Sequence, residues 1–156
     1  MDKNEPAVFL DIYTEIKETL VRSRNQTYSA VNFAMVHAYW NIGRIIVEHE
    51  QNGSLRADYG KGVLQDVSER LQQEFGAGFS VRNLQQMKKF YALFPNTNAL
   101  RSQLTWTHYR ALLRVENATA RNWYMEECVG QAVSWNGKYP LCIMTDCLQA
   151  AKKRRL

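Results

Sequence analysis

Apolar residues recur every three or four positions along most of this chain, the period of helices that bury one face. Residues 8–24 form a first expected helix. Leu10 or Tyr13, Ile16 or Lys17, and Leu20 keep helical spacing, with Asp11, Glu15 and Glu18 outside. Pro6 suits its start, and early acids followed by Arg22 and Arg24 suit its dipole. Residues 25–50 form a second helix with a broad stripe of Ala30, Phe33, Ala34, His37, Trp40, Ile42, Ile45 and Ile46. Gly43 beside Tyr39 and Trp40 suggests close packing of another helix at a small residue. Residues 51–60, rich in Asn, Gly, Ser and Asp, read as a loop.

Leu64, Val67, Leu71 and Phe75 mark a third helix. The fourth lies in residues 76–94, GAGFSVRNLQQMKKFYALF. Gly76 and Gly78 open a turn, Ser80 is the expected N-cap, and Pro95 stops the helix near Phe94. Leu84, Met87, Tyr91 and Phe94 fall on its apolar face. After a loop at 95–102, a fifth helix capped by Thr105 or Thr107 runs to about Val115. Asn117 caps a sixth, which continues to about Val129. The expected fold is therefore all-α: one compact bundle of about six helices. Residues 62–94 make a helix-turn-helix-like unit within it. Beyond Val129 the periodicity breaks, and the chain ends in a basic run from Lys152 to Arg155.

Charge sharpens this picture. The chain has 156 residues, a net charge of +5 and a pI near 9.2. Residues 1–60 carry a net −2, residues 61–127 a net +3 and residues 128–156 a net +4. Between Phe75 and Val115 there is no acid, while Arg82, Lys88, Lys89, Arg101, Arg110 and Arg114 all lie there. A basic stretch over a candidate recognition helix is the footprint of a nucleic-acid binder. Arg82, Asn83, Gln86 and Lys89 are read as its polar face. Arg, Asn and Gln carry donors and acceptors that match base edges in a major groove. Arg82, Asn83 and Gln86 are the expected base contacts, and Lys88, Lys89, Arg110 and Arg114 the expected phosphate contacts. The plainer alternative is a solvated helix face. For Trp106 the plainer reading is preferred: an aromatic that staples a helix entry to the core.

No catalytic pattern holds along the chain. No Gly-rich phosphate loop, no nucleophile elbow and no metal-spaced His/Cys cluster is present. Glu15, Ile16 and Lys17 imitate the end of a PD-(D/E)XK motif, but on an amphipathic helix with no strand around them. No cofactor or metal is expected. Cys128, Cys142 and Cys147 form no C-x-x-C pair, which argues for a reducing compartment. No signal peptide or membrane-spanning run is read, so the expected location is cytoplasmic.

Several runs resemble one family: Tyr39-Trp40-Asn41-Ile42-Gly43-Arg44, Tyr59-Gly60-Lys61, Phe75-Gly76-x-Gly78-Phe79-Ser80-x-x-Asn83-Leu84-x-x-Met87, Phe90-Tyr91-x-x-Phe94-Pro95 and Leu104-x-Trp106-x-His108-Tyr109. In order and spacing they look like the N-terminal domain of the YhcG-like proteins, predicted bacterial nucleases of the PD-(D/E)XK class. The resemblance spans residues 12–131. It implies a helical domain that precedes a separate nuclease domain, where the catalytic motifs belong. Residues 1–131 are expected to form the YhcG-like domain. Residues 132–156 are a divergent basic tail, expected to be a frameshifted or disordered remnant of a truncated member. The expected function is a non-catalytic module that binds or targets double-stranded DNA. The alternatives are an inactive truncated product, or a protein-interaction or homodimerisation module using Trp40, Trp106 and Trp123.

Overall fold

The computed structural model describes residues 5–51 and 57–134; the tail after Ser134 lies outside them. The described residues form five α-helices and no strands: α1 (Glu5–Gln51), α2 (Ala57–Phe75), α3 (Val81–Leu93), α4 (Trp106–Leu112) and α5 (Ala118–Ser134). Short 3-10 turns at Ala77–Phe79 and Thr97–Ala99 punctuate the chain. The all-α expectation holds, with five helices where six were read.

The difference lies in α1. The two helices expected on either side of Asn25 are one unbroken helix of 47 residues. Polar residues from Arg22 to Ser29 resemble a boundary in sequence, yet no Gly or Pro occurs between Pro6 and Gly43 to break the helix. Polar side chains there bond to their own helix: Thr27 Oγ1 donates to the Ser23 carbonyl at 3.0 Å, and Asn32 Nδ2 to the Tyr28 carbonyl at 3.0 Å. A second correction concerns the expected loop at 51–60, because α2 already begins at Ala57.

The remaining boundaries follow their sequence signals. Ser80 is the N-cap of α3, and its hydroxyl accepts from the Asn83 N–H. Among the described residues Gly76 alone has a positive φ, at 91°, and so turns the chain after α2. The Ser68 hydroxyl, fully buried in α2, donates to the Phe79 carbonyl at 2.9 Å and ties the turn down. Thr105 caps α4. The Asn117 side chain accepts from the Ala120 N–H at 2.9 Å at the start of α5.

The core gathers α1, α3, α4 and α5. Val36, Trp40, Phe90, Phe94, Leu100, Leu104, Tyr109, Leu112, Leu113, Met125 and Cys128 form one buried cluster. Phe90 and Tyr109 lie 4.8 Å apart, centroid to centroid, at its centre. Gly43 is where α1 meets α3. A Cβ built there would stand 2.1 Å from the Met87 carbonyl oxygen, so the two backbones meet with no side chain between them. Beside this crossing, the Trp40 indole N–H donates to the Phe94 carbonyl at 2.6 Å and satisfies the end of α3. No helix among the described residues is long and apolar enough to cross a membrane.

Candidate nucleic-acid interface

α3 packs its Leu84, Met87 and Phe90 face into the core, with Phe94 just beyond its end. Tyr91, placed by sequence on that face, is half-buried and stacks edge-on against Trp40 at 5.0 Å. The opposite face carries Arg82, Gln85, Lys89 and Ala92, all exposed and spaced at steps of three and four. Arg82 and Lys89 therefore share the outward surface.

Asn83 and Gln86 do not lie squarely on it. Both are partly buried. Asn83 Nδ2 donates to the Gly78 carbonyl at 3.0 Å, across the turn that precedes the helix. Gln86 turns inward far enough that its Oε1 is buried without a hydrogen-bond partner. Gln85, not singled out by sequence, holds the outward position between Arg82 and Lys89. Its signal was available: stepping by three from Arg82 and by four from Lys89 both land on residue 85.

The six cations of the acid-free stretch divide into two groups. Lys88 Nζ pairs with Glu50 near the end of α1, and Arg101 with Glu126 of α5 at 2.9 Å. Arg82, Lys89, Arg110 and Arg114 are exposed and in no ion pair among the described residues. Arg110 lies in the last turn of α4 and Arg114 just past its end, where the helix dipole favours cations. Thus four of the seven residues expected to touch nucleic acid are solvent-facing and unpaired. Asn83, Gln86 and Lys88 are partly buried, and two of these three make tertiary or turn contacts.

Other polar groups of the body serve its architecture. Arg121, which sequence did not single out, is 7% exposed. Its guanidinium donates to the Val115 carbonyl at 2.9 Å and lies over the Phe94 ring at 5.7 Å. It therefore closes the turn between α4 and α5. His108 Nδ1 accepts from the Thr105 N–H at 3.0 Å, and burial pushes its pKa below the ordinary imidazole value. Tyr109 Oη accepts from the Arg101 N–H at 2.8 Å. Burial raises its phenol pKa, offset in part by that bond and by the Arg101 charge. Trp106 packs on Phe90 and Tyr39, at 5.4 and 5.0 Å, as a stapling aromatic should. His37 is half-buried with its ring edge-on to Phe33 at 4.4 Å. No group of three or more His, Cys, Asp or Glu side chains that could hold a metal occurs among the described residues.

The family model of the DUF1016 N-terminal domain matches residues 15–137. A curated relative, the Escherichia coli (strain K12) protein named "Putative nuclease YhcG", is 30% identical over 159 aligned residues. The alignment takes in 81% of this chain and 42% of the relative, so the chain spans less than half the relative's length. No solved structure matches the chain. The match runs from the exposed part of α1 through the Gly43 crossing and α3 to the end of α5, well over half of the sequence, and the protein belongs to the DUF1016 N-terminal domain family.

Proposed function

We propose that this domain is a non-catalytic DNA-binding module, which in a longer family member would bring a nuclease to its substrate. One observation carries the reading. In a stretch without acids, Arg82, Lys89, Arg110 and Arg114 stay exposed and unpaired, and Arg82 and Lys89 flank Gln85 on the outward face of a rigidly seated helix. Arg82 and Gln85 are the groups suited to base edges; Lys89, Arg110 and Arg114 suit phosphates. Asn83 contributes by fixing the turn before α3, and Lys88 by holding α3 to α1.

The test is fluorescence anisotropy of a labelled duplex at about 50 and 200 mM salt, a range over which several phosphate contacts weaken binding by orders of magnitude. Binding should collapse across that range. Arg82→Ala should cost on the order of 1–3 kcal/mol and relax sequence preference, whereas Lys89→Ala should weaken all duplexes alike. Equal losses on specific and random DNA for both substitutions would remove Arg82 from base readout. No binding at low salt would remove the reading altogether.

A second reading, protein interaction, is favoured by the apolar residues left exposed on α1. Trp40 takes no part in it, since it is buried and hydrogen-bonded within the core.

A further inference from the structure

α1 has two faces of different fate. Val36, Trp40 and Gly43 lie on one side and are buried against the body. On the opposite side, steps of three and four connect Phe9, Tyr13, Ile16, Leu20, Arg24, Thr27, Val31, Met35, Ala38, Ile42 and Ile45. All are exposed except the half-buried Ile42, and all are apolar except Arg24 and Thr27. Ile12 borders the stripe on one side, and Leu10, Val21 and Tyr28 on the other, each about half exposed. Ordinary monomers do not leave so long an apolar stripe in water.

Length narrows what can cover it. From Phe9 to Ile45 the stripe runs roughly 54 Å at the usual helical rise. The next-longest described helix, α2, has 19 residues and spans only about 28 Å. Among the described helices α1 alone, at 47 residues, matches the stripe. Area points the same way. Eleven large apolar side chains, about half exposed, offer roughly 100 Å² each, so two copies would bury on the order of 2,000 Å², enough for a stable dimer. Every residue of α1 from Phe9 to Val31 is also exposed, and lone helices are marginal in water.

We infer that the outer stripe of α1 is a homodimer seam, on which the α1 of a second copy packs antiparallel. Parallel pairing in register would set Arg24 against Arg24 within the seam; antiparallel pairing separates the two along the axis. The inference is independent of the DNA reading, because Arg82, Gln85 and Lys89 lie on α3, away from the seam.

Sedimentation of the full chain from about 1 to about 100 µM tests it. The wild type should form dimers, and Ile16→Glu/Leu20→Glu should be monomeric, with at least about a hundredfold weaker association. Both side chains are more than half exposed, so the body should keep its Trp40 environment and its melting transition. A wild type that stays monomeric overturns the proposal, as does a dimer that survives the double substitution. A dimer lost instead in Trp123→Ala would place the interface on α5 and overturn it too. A pyrene on the N-terminal amine should give no excimer; an excimer would refute the antiparallel arrangement. Arg82→Ala/Lys89→Ala should leave dimerisation unchanged.

Discussion

The two ends of α1 share one helical geometry and one class of side chains, yet they differ in what those side chains touch. Toward the C-terminus, Val36 and Trp40 are buried and Gly43 lies against the α3 backbone. Toward the N-terminus, Phe9, Tyr13, Ile16 and Leu20 are at least half exposed. The C-terminal half is apolar on both faces: Val36 and Trp40 meet the body, while the outer row that begins at Phe9 continues along the other face to Ile45. Amphipathicity therefore identifies a helix with a face to bury, but not which neighbour buries it.

Substitutions at the two ends should separate them. The largest effect is expected at Gly43→Ala. Alanine's better helix propensity is worth about 1 kcal/mol. Against it stands a Cβ at 2.1 Å from a main-chain oxygen, which no rotamer change can relieve. Overpacking typically costs about 1–3 kcal/mol and more where backbone must shift, so a loss near 3 kcal/mol in denaturant unfolding is expected. A neutral substitution would mean that the helices separate easily at this crossing.

Trp40→Phe keeps most of the ring but leaves the buried Phe94 carbonyl without its 2.6 Å partner. The expected loss is about 1–3 kcal/mol, read as a lower urea midpoint with an unchanged slope.

A smaller effect depends on pH. Burial holds His108 below the ordinary imidazole value of about 6.5, so the unfolded chain takes up the proton first. This contribution is full above about pH 6.5 and is lost as pH falls through the folded value. Urea midpoints should drop between about pH 7.5 and 5.5, and His108→Gln should flatten that slope. An unchanged slope would show that His108 does not titrate on unfolding.

The smallest effect belongs to the other end of α1. Leu20→Ala, measured in dilute protein, should change body stability by less than about 0.5 kcal/mol. A larger loss would show that the N-terminal part of α1 folds together with the core.

Local rules carried most of the fold into the sequence. Ser80 and Asn117 cap where short polar side chains should, Pro95 ends α3, and Gly43 marks a close approach. What sequence could not supply was non-local. The polar run from Arg22 to Ser29 looked like a break because nothing local says that α1 continues past the body. Lys88 looked free because its partner Glu50 stands 38 positions away and reaches it only once α1 and α3 cross. Asn83 and Gln86 looked equivalent to Arg82 because a polar residue type does not show whether its side chain meets solvent or turns back. Arg121 gave no signal, since a buried arginine reads in sequence as one more surface cation.

The Gly43 crossing also has a mechanical meaning. Where side chains separate two helices, a small displacement of one is absorbed by rotamers before it reaches the other. At Gly43 and Met87 no such layer exists. A shift of the α1 axis at this point therefore displaces α3 directly, and the outward row of Arg82, Gln85 and Lys89 moves with it as a rigid extension of the long helix.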